Sequence, residues 1–522
     1  LYLGGIGTYV KAKGETNADA GDKANDAIRI NGSDLRVKVV GEGANLGLTQ
    51  AGRIEFAQAG GHINTDAIDN SAGVDSSDHE VNIKILTGAI EASGKLDRPS
   101  RNALLARMTD EVAEHVLAHN YDQTLALTLA QATASEDLDS HQRFMKRLEG
   151  TGRLDRKVEG LPSDAAIADL ASRGQGLTRP ERAVVMAYGK LELFDEIVAS
   201  KAPDDPFFEG ALKAYFPEPL RLYEAEMGRH RLRREIVATV LSNEIVNIAG
   251  PTFPSRLIAS AECDVTTLVT AFEAARRVFR LDEAWAAVSA LDLKAPAAAQ
   301  TALYQEIVTV QRRQTFWLAR RAAKGANVAS LIAAYRPAAD AVRTEGAGLL
   351  SRFERELVAE RARGFVELGA PEALAQQIAT LRPLTATSDV ADLAKTANWT
   401  VPAMARLYHQ VGSAFGFDRL RAAAGTLASR DHFERLAVRR LIEDLLSEQS
   451  ALARAGAAGA GSASGATPES AAKAVDAWSA SRAAAVEQAA RAVTEIEQSG
   501  SGWSFAKLTI ANSSLRELVA QA

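Results

Sequence analysis

Val37-Lys-Val-Val-Gly-Glu-Gly-Ala-Asn45 is the stretch that gives the first part of the chain its α/β character. Its β-branched run, Val37 to Val40, predicts a short buried strand, and Gly41-Glu-Gly43 predicts the tight turn that ends it. Ligands of open α/β sheets bind at the carboxyl ends of strands. Glycine there lets backbone approach a ligand, and the Asn45 amide offers both a donor and an acceptor. The turn therefore has two interpretations, a ligand-binding one and a purely structural one.

A second stretch rich in small residues, Asn70-Ser-Ala-Gly-Val74, precedes a predicted helix. We expect that helix to run from Ser76 or Ser77 through about Ala92, with a serine cap and with Asp78 and Glu80 in its first turn. Free backbone N–H groups at a helix N-terminus form a seat for a carboxylate. The alternative is that the serine only caps the helix.

The dinucleotide-binding fingerprint is missing from the sequence. No complete Gly-x-Gly-x-x-Gly follows a predicted strand, and Gly5-Ile-Gly7 is only an incomplete version of it. The chain begins at Leu1 rather than at Met, in what looks like the end of a strand. We therefore expect the chain to be a fragment whose pyrophosphate site lies upstream.

The composition changes near residue 95, after which almost every segment has the apolar periodicity of a helix. Thr178-Arg-Pro-Glu181 predicts a helix N-terminus with a capping box. Ala455 to Pro468 contains little besides Ala, Gly, Ser and Thr, which predicts a flexible linker. Trp478 and Val493 lie on one helical face of the tail behind it, so we expect that tail to dock. Further helices are predicted at about 219–249, 265–279, 297–323, 328–342, 346–369, 371–381 and 430–454.

Length, composition and charge exclude several classes of protein. The 522 residues predict two or three domains. No run of eighteen apolar residues is present, so no membrane span is expected. The net charge of −6 lacks the basic footprint of a dedicated nucleic-acid binder. Cys263 is the only cysteine, which excludes an internal disulfide and a zinc site built of thiolates.

Four other features can each be interpreted either as ordinary structure or as a functional site. His115 and His119 are four apart on a predicted helix, but without a third ligand at family spacing we predict no metal site. Arg229-His-Arg-Leu-Arg-Arg234 is expected to be a solvated face neutralised by nearby acids rather than a phosphate site. Asn243 and Asn247 share a helix face and fit interhelical hydrogen bonds better than a ligand. Cys263 sits between two acids, which disfavours its thiolate.

Taken together, the two small-residue stretches resemble a known family. Val40-Gly-Glu-Gly-Ala-Asn-Leu-Gly-Leu-Thr49 resembles the EGAN-x-x-x-T turn of glutamate dehydrogenases, and Asn70-Ser-Ala-Gly-Val-Asp-Ser-Ser77 resembles their NAGGV-x-x-S segment. The similarity is to the large, multidomain NAD-dependent glutamate dehydrogenases of bacteria, and it runs from residue 1 to about 320. The stretches that carry it further are Tyr2 to Tyr9, Gly21 to Asp26, Asn64 to Asp75, Asp78 to Lys84, Arg182 to Lys190 and Asn243 to Asn247.

This resemblance implies oxidative deamination of L-glutamate to 2-oxoglutarate and ammonium with NAD as cofactor. It assigns cofactor binding to Gly43, Ala44, Asn45 and Asn70. It assigns substrate binding to Asn70, Val74 and Ser77, where Ser77 would donate to the distal carboxylate and Val74 would pack against the methylene stem. The sequence departs from the smaller enzymes at Ser71, Asp75 and Asp78, and the two aspartates change the charge expected in the pocket.

The catalytic lysine and aspartate of the family precede the matched region, so no catalytic residue is assigned within the chain and the fragment is expected to be inactive alone. The fold implied is predominantly α, with the C-terminal remnant of a Rossmann-type α/β dinucleotide-binding domain followed by a large all-α region. The predicted divisions are 1–135, the end of the catalytic domain; 136–454, a helical domain; 455–468, the linker; and 469–522, the helical tail.

A cytoplasmic homo-oligomer is expected, without nucleic-acid or membrane partners. Two alternatives stay open. In place of a glutamate dehydrogenase, the chain would be a non-catalytic helical scaffold or assembly region, or part of another amino-acid dehydrogenase of the same superfamily.

Overall fold

The computed structural model is predominantly helical. It describes residues 1–322, 325–427, 432–459, 473, 476–478, 480–500 and 502–520. These residues group into two compact units. Unit 1 comprises Leu1–Glu273 and Thr315–Val328, and unit 2 comprises Ala274–Gln314 and Ala329–Ala522. No single described helix is long and apolar enough to cross a bilayer, although one pair bent by 89°, Arg233–Ala249 with Phe253–Ala261, passes that test together.

The strands are short and all pair in parallel. Strand β1 (Tyr2–Leu3) pairs with β4 (Gly41–Glu42), and β2 (Val10–Lys11) pairs with β3 (Ile30–Asn31). Two single parallel bridges join Val10 to Leu48 and Val39 to His62. The side chains buried under these strands are Val10, Val40, Leu48, Phe56 and Ile63.

The helices of unit 1 begin with those around the strands and continue to the first helix that leaves the unit. They are α1 (Asn17–Ala20), α2 (Gln50–Gln58), α3 (Asp66–Asp69), α4 (Ser71–Ala92), α5 (Arg98–Arg107), α6 (Thr109–Ala132), α7 (Ala134–Gly150), α8 (Asp164–Ser172), α9 (Arg179–Ala199), α10 (Glu209–Tyr215), α11 (Glu224–Gly228), α12 (Arg233–Ala249), α13 (Phe253–Ala261) and α14 (Val265–Val278).

Most of the remaining helices belong to unit 2. They are α15 (Leu281–Ser289), α16 (Ala297–Arg321), α17 (Val328–Glu345), α18 (Arg352–Glu367), α19 (Glu372–Ala379), α20 (Leu381–Leu384), α21 (Thr387–Ala397), α22 (Val401–Ala414), α23 (Phe417–Gly425), α24 (His432–Gly459), α25 (Ala483–Gln498) and α26 (Phe505–Ala520). Short 3₁₀ turns lie at Lys23–Asn25, Gly32–Asp34, Ala202–Asp204, Pro206–Phe208, Glu218–Tyr223 and Gly346–Leu349.

The predicted strand at Val37 to Val40 is wrong in position. Only Val39 forms a bridge there, and the strand proper is Gly41–Glu42. Val40 is buried, whereas Val37 and Val39 are exposed. Residues 37–39 are therefore exposed in succession, and only the last residue of the run reaches the core.

The predicted start of the helix at Ser76 or Ser77 is also wrong. Helix α4 begins at Ser71 with Asn70 as its N-cap residue, so both serines lie inside the helix. Helix α3 ends at Asp69, and the chain passes directly into α4 through Asn70. Its small residues, Ala72 and Gly73, form the first helical turn rather than a loop. The predicted end at Ala92 is confirmed.

Several helical boundaries further along differ from the prediction. The expected helix 219–249 is broken, because the backbone N–H of Leu232 donates to the His230 ring just before α12 begins. The expected helix 346–369 starts only at Arg352, where Ser351 and Glu354 form a capping box. The capping box at Thr178 and Glu181 is confirmed.

The predicted linker begins inside a helix. Helix α24 continues to Gly459, because the alanines of residues 455–458 favour helix and Ala457 is buried. Residues 460–468 of that prediction lie outside the described residues. The expected docking of the tail is confirmed where it is described: Val493 is buried, and the Trp478 ring lies 5.7 Å from that of Phe415.

The division predicted at residue 135 stays a prediction, and helices on both sides of it pack together. Helices α6 and α4 pack against each other, and α6 also packs against α9 and α12, which lie beyond residue 135. These contacts place residues on both sides of the predicted boundary in unit 1.

Candidate functional site

The turn after β4 is held by a buried ion pair that the sequence did not predict. Both Glu42 oxygens accept hydrogen bonds from the Arg53 guanidinium, at 2.7 and 2.9 Å. Glu42 is 0% exposed and Arg53 is 5% exposed. Glu42 also accepts the backbone N–H of Leu48 at 3.0 Å, which links the end of the turn back to β4.

Two aspartates of α3 fix the same turn from the other side. Asp69 accepts the backbone N–H of Glu42 at 2.9 Å, and Asp66 accepts that of Leu46 at 2.8 Å. Leu46 has a φ of +59°, a left-handed conformation that costs energy for a non-glycine residue. The turn is therefore held in one conformation by side chains on both sides, before any ligand binds.

The structure brings two of the predicted binding residues into contact. The Nδ2 of Asn70 donates to the Oδ1 of Asn45 at 2.9 Å. This bond leaves the Asn45 side-chain NH2 group and the Asn70 side-chain oxygen, Oδ1, for another partner. The Asn70 oxygen lies over Gly73, where a Cβ atom would come within 2.9 Å of it. A small residue at 73 thus keeps this oxygen accessible.

The other two predicted cofactor residues make contacts within the protein. A Cβ atom on Gly43 would lie 1.8 Å from the Tyr2 hydroxyl, so the close approach that requires glycine is to Tyr2. Ala44 is buried, and its backbone N–H donates to Leu3 at 2.9 Å. Their contact with a cofactor stays a prediction.

The predicted substrate residues lie on the solvent side of α4. Val74 is 67% exposed and Ser77 is exposed one turn later on the same face. Because Ser77 is inside the helix, its hydroxyl does not cap it, and the carboxylate seat expected at its N–H does not form there. The hydroxyl itself remains open to a partner.

Asp75 faces a different neighbour from Val74 and Ser77. One of its oxygens lies 2.8 Å from the Nδ1 of His119 on α6, and the other lies 3.8 Å from the Nε2 of His79. Burial raises the pKa of Asp78, and Asp75 adds to that effect. Of the two aspartates whose charge was expected in the pocket, Asp75 therefore has its carboxylate against His119 of α6.

Burial lowers the pKa of His79 to about 4, against the pull of Asp75. The hydrogen bond with Asp75 raises the pKa of His119. Lys190 on α9 interacts with the same carboxylate, and burial lowers its pKa to about 7. The grouping of Asp75 with His79, His119 and Lys190 was not predicted from the sequence. The four-residue spacing of Asp75 and His79 was the available signal.

The interhelical hydrogen bond expected of Asn247 is not formed by its Oδ1, which is buried without a hydrogen-bond partner. The arginine-rich stretch and Cys263 follow their structural interpretations. Arg229 pairs with Glu226, while Arg233 and Arg234 pair with Asp204. Burial raises the pKa of the Cys263 thiol to about 11, which confirms that its thiolate is disfavoured.

Comparisons with known proteins cover most of the chain. Residues 174–517 match the family described as glutamate dehydrogenase, C-terminal, and residues 1–130 match the bacterial NAD-glutamate dehydrogenase catalytic domain. An NAD-specific glutamate dehydrogenase of Pseudomonas aeruginosa is 41% identical over 87% of the chain. Those of Halomonas elongata and Mycobacterium tuberculosis are 39% and 36% identical over 87% and 85% of it. The chain spans 28%, 28% and 27% of the lengths of these three relatives.

Proposed function

Because the chain belongs to the bacterial NAD-glutamate dehydrogenase family, we propose that it serves the NAD-dependent oxidative deamination of L-glutamate. In that reaction glutamate, NAD⁺ and water give 2-oxoglutarate, ammonium, NADH and a proton. The chain spans only 28% of its first relatives, so we assign it one wall of the active site and no proton-transfer residue.

The contact between Asn45 and Asn70 carries this proposal. Its 2.9 Å hydrogen bond joins the two motifs, and it leaves the Asn45 NH2 group and the Asn70 side-chain oxygen for a ligand. A nicotinamide carboxamide presents the complementary acceptor and donor, so the pair fits the cofactor. When bound, NAD supplies the hydride acceptor. The rigid turn around Asn45 would then orient the cofactor without first having to become ordered.

The parallel pairing of β1 with β4 and of β2 with β3 supports a Rossmann-type origin for this part of the chain. We propose that Gly43 and Ala44 provide backbone beside the cofactor, although their side of the turn is filled by Tyr2 and Leu3. The direct test is NADH absorbance on addition of glutamate to the intact enzyme. Turnover of another amino acid in preference to glutamate would identify a different dehydrogenase.

We expect Ser77→Ala to lower kcat/KM for glutamate roughly ten- to hundred-fold in the intact enzyme, since a charge-assisted hydrogen bond contributes about 1.5–3 kcal/mol. Norvaline has no distal carboxylate, so its kcat/KM should hardly change. Ser76→Ala is the matched control, because Ser76 is exposed on another side of the same helix. If kcat/KM falls equally for glutamate and norvaline, Ser77 does not bind the distal carboxylate.

We further propose a cytoplasmic homo-oligomer in which the helical region supports assembly. Capped amphipathic helices at Arg179–Ala199, Arg352–Glu367 and Val401–Ala414 support a structural role. Sedimentation of the intact enzyme should then give the mass of more than one chain. A monomer at working concentration would contradict this role.

A further inference from the structure

Helices α4 and α6 bring three side chains with metal-binding atoms together. Asp75 and His79 lie one turn apart on α4, and His119 reaches them from α6. One ligand atom from each of the three lies within 4.8 Å of the other two. The Asp75 carboxylate stands between the rings, 2.8 Å from His119 Nδ1 and 3.8 Å from His79 Nε2.

His79 has no conventional role that accounts for its ring nitrogens. The side chain is 0% exposed, and neither Nδ1 nor Nε2 has a hydrogen-bond partner. Its ring stacks on Tyr215, with centroids 4.5 Å apart and planes inclined by 16°. Stacking accounts for the ring face but not for a buried nitrogen aimed at a carboxylate 3.8 Å away. Buried polar groups without partners are rare in proteins, and an ion that the structure does not contain is one explanation.

We propose that Asp75, His79 and His119 bind one divalent transition-metal ion of the zinc class. Two imidazoles and a carboxylate are the donors that Zn²⁺ accepts, and a four-residue spacing on a helix places two ligands on one face. Bonds of about 2.0–2.2 Å put ligand atoms roughly 3–3.5 Å apart in a tetrahedral site. The observed separations of 2.8 and 3.8 Å lie on either side of that value.

The groups around the three ligands are compatible with a cation. Asp78 lies close enough to Asp75 for each to act on the other's charge, and Asp122 acts on His119. The positive charge of Lys190 partly offsets the negative charges of Asp75 and Asp122. His115 is not a member of the set: the ligand atoms that lie within 4.8 Å of one another come from Asp75, His79 and His119, and the His115 Nε2 lies 4.0 Å from Glu111.

An ion at this position would fasten α4 to α6 and leave a fourth coordination position open. It would therefore brace the helix whose other face carries Val74 and Ser77. The ion would replace the hydrogen bond between Asp75 and His119. Because protons compete with the metal for the imidazole nitrogens, zinc binding should weaken as the pH falls. This inference does not depend on the proposed dehydrogenase activity.

The test is titration of the metal-free 522-residue chain with Zn²⁺ by calorimetry. We expect one Zn²⁺ per chain, weaker binding at lower pH, and a higher melting temperature in excess Zn²⁺. Asp75→Asn and His119→Gln should each weaken binding by more than about 100-fold, beyond the 10–100-fold typical of losing an outer partner. His119 is 47% exposed, so its replacement should preserve the fold. Circular dichroism checks both variants.

His62→Gln and His115→Gln are the matched controls and should retain full affinity. His62 is exposed, and His115 neighbours the set without joining it. Co²⁺ bound to the unmodified chain should show the ligand-field bands of a nitrogen and oxygen set without thiolate charge transfer, which excludes binding at Cys263. The proposal is overturned if the unmodified chain binds no Zn²⁺, if Asp75→Asn retains it, or if His115→Gln loses it as His119→Gln does.

Discussion

Replacing Arg53 with methionine should destabilise unit 1 by about 3–5 kcal/mol, the cost of leaving one partner of a buried ion pair uncompensated. Glu42 would stay 0% exposed with only the Leu48 N–H to balance its charge. Burial already raises the pKa of Glu42, and loss of Arg53 would raise it further. The destabilisation should therefore shrink as the pH falls and the carboxyl takes up a proton.

Urea denaturation followed by circular dichroism measures this loss, and hydrogen exchange at residues 43–48 localises it. Arg98→Met is the matched control, because Arg98 pairs with Glu91 with its own side chain 70% exposed and should cost less than about 1 kcal/mol. Combining Arg53→Met with Glu42→Gln removes the orphaned charge and should recover at least half of the loss. A double variant no more stable than the single one would show that the charge is not the cause.

A second large effect is expected in unit 2, where Glu354 pairs with the buried His409 at 2.8 Å. Burial alone would raise the pKa of Glu354, but His409, the Ser351 backbone N–H and Arg421 outweigh it and lower that pKa to about 2. A carboxyl with a depressed pKa stabilises the fold above its unfolded value, near 4.5. That contribution, about 3 kcal/mol, is lost as the pH falls towards 2.

We therefore expect Glu354→Gln to cost about 3 kcal/mol at pH 7 and to flatten the fall in stability between pH 4.5 and pH 2. Thermal unfolding of unit 2 across that range is the measurement. Glu356→Gln is the matched control on the same helix, because Glu356 is 61% exposed in its pair with Arg352. If both variants show the same pH dependence as the unmodified chain, the pair does not provide this stability.

The motifs assigned two residues to one site, and the structure places their side chains together. Asn45 and Asn70 were assigned to one site from two separate stretches, and their side chains are hydrogen-bonded. The local geometry was predicted less well. Asn70 begins α4, and Ser77 lies within it. Asn and Ser are both favourable N-cap residues, so the composition of this stretch permits either start.

The sequence alone determined which segments are helical and how some of them begin. Apolar periodicity and local capping are properties of neighbouring residues, which is why the capping box at Thr178 and the end of α4 at Ala92 were predicted correctly. The family resemblance depended on the same kind of short, contiguous pattern.

Only the tertiary structure decided which charges and ligands meet. Glu42 and Arg53 belong to different elements. His119, which lies on another helix, is forty-four residues beyond Asp75 in the sequence. Apolar periodicity and helix propensity specify the apolar face of a helix. They do not specify which polar side chain of a neighbouring helix packs against it. A buried charge or imidazole nitrogen has few possible partners, and the packing of whole helices selects among them.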